Sequence, residues 1–178
     1  MKRLATFLAS LIATIAWIMV MRKLTAPLDS SDILRFEFIG TAAKAEEFLR
    51  DLPAGHIVLL TRSIYLDMVF PLLYGLTLWT ANRWAWPETR LPETKGKSVT
   101  AHFIARFALW ATLAAIASDY VENAAMLNMI STGPMDTAAS AAWWFASLKF
   151  SLIVLLLILF LCGLLLRLIR SSGKTLRS

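Results

Sequence analysis

The chain alternates long apolar stretches with short polar ones. Four stretches emerge, roughly at 4–21, 57–82, 101–130 and 138–166, the last ending in the run Leu152 to Leu166. Each reaches or approaches the roughly 20 residues that a helix needs to cross a membrane. The runs are continuous and do not alternate in the way a half-buried strand would. The expected fold is all-α: a polytopic membrane protein with a four-helix bundle in a single domain spanning 1–178.

The connections are unequal. The first, Arg22 to Pro53, is long, and within it Thr41 to Leu52 reads as a short amphipathic helix between the first two spans. Thr41 stands at the capping position, and Ala45, Phe48, Leu49 and Leu52 share one face. Lys44, Glu46, Glu47, Arg50 and Asp51 occupy the other, so the helix is expected on the membrane surface or over the end of the bundle. Pro53-Ala54-Gly55 ends it. The second connection, Asn82 to Ser98, carries Pro87 and Pro92 and reads as an exposed loop. The third, Ser131 to Asp136, is a Gly133-Pro134 turn. Met1-Lys2-Arg3 resembles the start of a signal peptide. The apolar run behind it is long for that role, and Arg22-Lys23 stands where a neutral cleavage region belongs. An uncleaved first helix is therefore expected.

Composition agrees with the pattern. Of 178 residues, 58% are hydrophobic, and the net charge is +6. The basic residues form no stripe, which argues against nucleic acid as a partner. They flank the apolar segments instead, at Lys2 and Arg3, at Arg83, Arg90, Lys95 and Lys97, and at Arg167, Arg170, Lys174 and Arg177. Such placement suits membrane lipids and topology control. It predicts that both termini are cytoplasmic, although Arg22-Lys23 pulls the first helix the other way. The lone cysteine, Cys162, rules out an intrachain disulfide and reads as a lipid-facing or packed thiol.

Against this background a few polar positions stand out. Asp67, Asp119, Glu122 and Lys149 lie inside apolar segments, where a charge costs roughly 2.5–3.5 kcal/mol on insertion scales. Asp119, Glu122 and Asn123 follow i, i+3, i+4 spacing and share a helix face. Asp67, Pro71, Tyr74 and Gly75 share another. Pro71 frees the carbonyl of Asp67 and loosens the helix beside an acid, and Gly75 permits close helix approach. At about 1.5 Å of rise per residue, the charged groups fall within one or two turns of a common level, in the outer half of the membrane on the expected topology. Tyr65 and Tyr74 can donate to the carboxylates, and Arg62 adds a second cation if it turns inward. Three acids against one lysine cannot all stay ionised in low dielectric. The plainer reading is an ion pair with Lys149 that fixes helix register.

Other features are bland. Thr6, Ser10 and Thr14 form a small polar stripe suited to helix packing. Trp143 and Trp144, with Trp84 and Trp86, suit interfacial belts. His56 is a lone candidate to join a metal site with the acids. No His-x-x-x-His spacing, phosphate loop or nucleophile elbow is present, so neither a metal nor a cofactor is expected.

Leu66-Asp67-Met68-Val69-Phe70-Pro71-Leu72-Leu73-Tyr74-Gly75, then Ser118-Asp119-Tyr120-Val121-Glu122-Asn123, then Ser147-Leu148-Lys149, form a series. It resembles a group of small, uncharacterised four-helix integral membrane proteins of bacteria. That group carries Asp-x-x-Phe-Pro-x-x-Tyr-Gly, then Asp-Tyr-x-Glu-Asn, then a lysine in the last helix. The resemblance covers segments two to four and singles out the same polar positions. In the first connection, Phe38-Ile39-Gly40 stands in place of a Pro-Phe-Gly-Tyr-like start. The resemblance implies a fold and a site, without a chemistry.

Three functional readings follow. In the first, a polar pocket binds a lipid, amphiphile or cation, with Asp119 and Glu122 on the cationic group, Lys149 balancing them, and Asp67 and Tyr74 on the opposite wall. Transport through so few helices calls for a homo-oligomer, with a dimer seam through Gly75. In the second, paired carboxylates serve as general acid and base of an intramembrane enzyme on a lipid-like substrate. In the third, the polar groups only join helices in a structural or assembly subunit.

Overall fold

The computed structural model describes residues 2–86 and 95–175, and side chains within 2–86 and 102–169. Among the described residues the chain is helical and has no strand. It runs through α1 (Lys2–Thr25), α2 (Ser30–Glu37), α3 (Ala42–Asp51), α4 (His56–Asp67), α5 (Phe70–Ala85), α6 (Lys95–Thr132) and α7 (Asp136–Thr175). Four stretches are long and apolar enough to cross a membrane: Lys2–Thr25, His56–Ala85, His102–Thr132 and Asp136–Ile169. They match the four expected segments, each extended by a few residues into its polar flanks.

The structure differs from the sequence reading in one segment and two connections. The second segment is two helices, α4 and α5, broken at Met68-Val69. Pro71, near the start of α5, has no N–H to donate to the preceding turn, so the ladder stops there. The first connection holds α2 as well as the expected α3. Asp29 caps α2 by accepting from Ser31 N at 3.0 Å. Thr41 occupies the N-cap of α3 but its side chain makes no capping bond. Asp136 Oδ1 instead accepts from Ala42 N at 2.8 Å and ties α3 to the start of α7. Finally, Asn82 belongs to α5, not to a loop. It is buried and donates to Leu156 O of α7 at 3.1 Å. Pro87, Arg90 and Pro92 of that connection lie outside the described residues, as do the side chains of Lys95, Lys97, Arg170, Lys174 and Arg177.

The α3 face carrying Ala45 and Phe48 is buried, with Leu49 and Leu52 packed beside them. Its charged face is exposed. The helix thus lies over one end of the molecule, here called the cap end, beside α2 and the Gly133 turn. There Gly133 takes a positive φ of 93° between α6 and α7, a conformation open to glycine without steric cost. The opposite, tail end gathers Phe7, Trp84 and Phe160, with the Arg167 guanidinium 4.7 Å from the Trp84 ring. Trp143 and Trp144 meet edge-on at the cap end, their ring centroids 4.7 Å apart. The two tryptophan groups therefore sit at opposite ends of the molecule.

The stripe on α1 docks it to α5. Ser10 Oγ lies 3.1 Å from Thr80 Oγ1, and Thr14 Oγ1 lies 2.9 Å from Thr77 Oγ1. Thr6 does not join them; it is exposed and bonds its own helix. Gly75 brings α5 and α6 together: a Cβ there would meet Ile116 Cδ1 at 2.5 Å. Gly75 is thus covered within the protomer by Ile116 and Thr112 of α6. Gly163 plays the same part between α7 and the end of α5, under Trp86 and Ala85.

Apolar packing falls into two separate layers. One, at the cap end, includes Phe36, Phe48, Leu60, Ile64, Met126, Met129 and Ala142. The other includes Tyr74, Leu78, Ala108, Ala111, Ala115 and Leu156. Along every long apolar helix that contributes to both, the unusual polar residues fall between them.

Candidate functional site

Lys149 of α7 is the centre of that middle layer. Its Nζ donates to Glu122 Oε1 at 2.9 Å and to Asp119 Oδ1 at 3.3 Å. Glu122 Oε2 also lies 2.8 Å away, without hydrogen-bond alignment. The ammonium further sits 4.8 Å from the Phe150 ring centroid. Asp119 and Glu122 are 1% and 0% exposed, and Lys149 is 5% exposed, so these are pairs in a low dielectric and not surface contacts.

The expected face of α6 turns inward as a unit. Tyr74 OH donates to Asp119 Oδ2 at 2.9 Å, giving that carboxylate a partner on each oxygen. Asn123 Nδ2 donates to Asp67 Oδ2 at 2.7 Å and approaches Asp119 Oδ1 at 3.5 Å. One amide therefore links the acid at the α4–α5 break to the acids around the lysine. All six expected site residues, Asp67, Tyr74, Asp119, Glu122, Asn123 and Lys149, belong to one continuous network.

The break itself is secured by side chains. Tyr120 OH donates to Met68 O at 2.9 Å, and Trp17 Nε1 to Leu66 O at 3.3 Å. Backbone groups released from a helix ladder in an apolar setting need such partners. Pro71 thus shapes the helix as expected, and two aromatic donors from α6 and α1 hold the result.

Several expected partners do not take part. Tyr65 is 62% exposed and reaches no carboxylate. Arg62 is exposed and donates to Leu24 O at 3.3 Å instead of turning inward. His56 lies toward the cap end in α4, and among the described residues no group of three or more His, Cys, Asp or Glu is disposed to hold a metal ion.

One member was not foreseen. Glu37, the last residue of α2, is buried, with Oε2 3.7 Å from Lys149 Nζ and no hydrogen-bond partner for that oxygen. Burial pushes its carboxyl above the ordinary range. Lys149 pulls it back, and Asp119 pushes it further up. A sequence signal existed: Asp29-Ser30-Ser31 can start a helix, and Ile33 and Glu37 stand i, i+4 on its face. The layer therefore holds four acids, Glu37, Asp67, Asp119 and Glu122, around one lysine.

Asp67 differs from the rest in its surroundings. It is half-buried and lines a cavity of about 510 Å³ between α1, the α1–α2 turn and the α4–α5 break. The other acids are sealed between the two apolar layers. Chemically, the arrangement can hold a positive group near Asp67, exchange protons within the network, or tie α2, α6 and α7 together through Lys149. No known protein family, curated protein or solved structure matches the chain.

Proposed function

We propose that this protein is a four-helix membrane protein of the bacterial inner membrane that binds the cationic group of an amphiphile, or a cation, at its buried acid–lysine layer. In this reading it belongs with the small bacterial membrane proteins that its motifs resemble, and both termini face the cytoplasm. The observation that carries the reading is the charge imbalance. Three carboxyls lie within 3.7 Å of a single lysine and a fourth, Asp67, joins them through the Asn123 amide, and a low-dielectric layer with that excess takes up positive charge. A register-fixing ion pair needs one acid, not four. Lys149, Asp119 and Glu122 hold the layer together, and Asp67 presents it to the cavity. Movement of the ligand across the membrane would require a homo-oligomer, since four helices enclose too narrow a path.

Native mass spectrometry tests this. Protein extracted gently from its own membrane is compared with the Asp119→Asn, Glu122→Gln double variant. Retention of a discrete cationic or zwitterionic molecule by the first and its loss from the second is the expected result. An anionic or neutral molecule held equally by both would count against the reading.

A second reading, an intramembrane enzyme on a lipid-like substrate, draws on the contrast between cavity-lining Asp67 and the sealed Asp119, joined through Asn123. Two carboxyls in unlike environments suit general acid and base roles. A variant Asp67→Asn that still binds the ligand but accumulates it unaltered would favour this reading.

A further inference from the structure

The cavity beside Asp67 has a second charged landmark. Ile18, Met21 and Arg22 of α1 face it, following i, i+3, i+4 spacing along one side of the helix. Arg22 is exposed at the cap-end limit of the apolar run. Among the described residues it makes no hydrogen bond or ion pair. Asp67, contributed to the lining by α4, receives its amide bond on Oδ2, and no donor meets its Oδ1 among the described residues. Asp29, the other charge on the wall, is engaged as the cap of α2. Ile33 and Phe70 add apolar surface to the lining. The volume falls within the roughly 300–1,000 Å³ of ordinary ligand sites.

We propose that this cavity is a binding site for a zwitterionic lipid, with its phosphate at Arg22 and its ammonium on Asp67. The proposal rests on the reading above and names the ligand class. A guanidinium suits a phosphate because its fork of donors matches two oxygens. It also stands where an apolar helix run ends, the depth of a headgroup. The carboxylate deeper in the wall is backed by three further acids, so the positive end of the headgroup is drawn inward. An anionic lipid would meet that field with like charge. The apolar wall, which a free headgroup would leave uncovered, selects a lipid over a soluble phosphoamine.

Full-length protein in detergent is titrated by native mass spectrometry with dioctanoyl phosphatidylethanolamine, dioctanoyl phosphatidylglycerol and free phosphoethanolamine. The first should bind at least about tenfold more tightly than the others. Arg22→Gln and Asp67→Asn should each weaken it by about tenfold, and Ser30→Trp, at an exposed position on the cavity wall, should block it. Arg22 and Ser30 are exposed, so these changes leave the packed interior intact. Equal binding of phosphatidylglycerol, or preference for free phosphoethanolamine, overturns the proposal. If Arg22→Gln and Ser30→Trp bind normally while Asp119→Asn, Glu122→Gln does not, the layer takes a cation by another route. The cavity proposal then falls and the broader reading stands. If no variant changes binding, both fall.

Discussion

Glu37 Oε2 lies 3.7 Å from Lys149 Nζ, although Glu37 ends a short helix outside the four apolar spans and Lys149 sits deep within the last of them. This contact makes the cap part of the polar layer. It also gives the cap a pH dependence. Burial holds the Glu37 carboxyl above its ordinary range, so the unfolded chain releases that proton first as pH rises. The stabilising contribution is full below the ordinary carboxylate range and is lost as pH climbs through the raised value. Glu37→Gln should flatten this part of the profile and raise Tm at neutral pH, as thermal unfolding in detergent at several pH values will show. A profile identical to the parent would place Glu37 outside the linkage.

Removing the cation should be far more damaging than removing one acid. Lys149→Met leaves Asp119 and Glu122 without their counter-charge and is expected to cost about 3–5 kcal/mol, as for other broken buried pairs. Adding Glu122→Met should recover part of that loss. Denaturant titration of the single and double variants measures both. A double variant no more stable than Lys149→Met would show that Glu122 is held by something besides the lysine.

Tyr74→Phe isolates one hydroxyl, which also lies 3.3 Å from Ala115 O. It deletes the hydroxyl that donates to Asp119 at 2.9 Å and keeps the ring that packs 5.2 Å from Phe70. A hydrogen bond to a charged group contributes about 1.5–3 kcal/mol, and a loss in that range is expected by the same titration. A neutral result would mean that a water replaces the hydroxyl.

Gly75 tests the close approach of α5 and α6. Ala at this position meets the movable tip of Ile116 and should cost about 1 kcal/mol, whereas Leu overpacks the contact and should cost about 1–3 kcal/mol or more. The same substitutions should leave the oligomeric state unchanged, because the glycine is covered within the protomer. Crosslinking of parent and Gly75→Ala side by side checks this.

The pair Ser10→Ala, Thr14→Val removes both interhelical hydroxyl contacts of α1. Such bonds contribute about 0.6 kcal/mol each in membrane helices. A small loss of stability is therefore expected, with faster proteolysis of α1 as the sensitive readout. Thr6→Val, at an exposed position, should have neither effect.

Much of the architecture could be read from the chain because it depends on local pattern. Long apolar runs dictate helices, and charges at i, i+3, i+4 must share a face. That is why Asp119, Glu122 and Asn123 could be placed together with Lys149 before any fold was known. Pro71 signalled a loosening for the same reason, since a missing N–H acts on its own turn, but not that the segment divides into α4 and α5. What local pattern could not supply was the choice among equivalent partners. Tyr65 and Tyr74 are both near Asp67 in sequence, but helix rotation decides that only Tyr74 reaches an acid. Arg62 had a backbone carbonyl at the end of α1 within reach, so it had no need to turn inward. Gly75 signalled close approach without saying to which helix.

The deepest difference concerns Glu37. Its sequence neighbourhood is polar, and its charge is cheap in an exposed loop. Only the folding of α2 against α6 and α7 brings it to Lys149 and turns an ordinary surface acid into the fourth member of a buried layer. The sequence by itself determined the four long apolar segments, the amphipathic helix α3 and the charges that those segments must hide. The tertiary structure decided which of those charges meet, which acid faces a cavity, and that α2 completes the set. Secondary structure follows from contacts a few residues apart, whereas the balance of charge in a low-dielectric layer depends on groups that are distant in the chain.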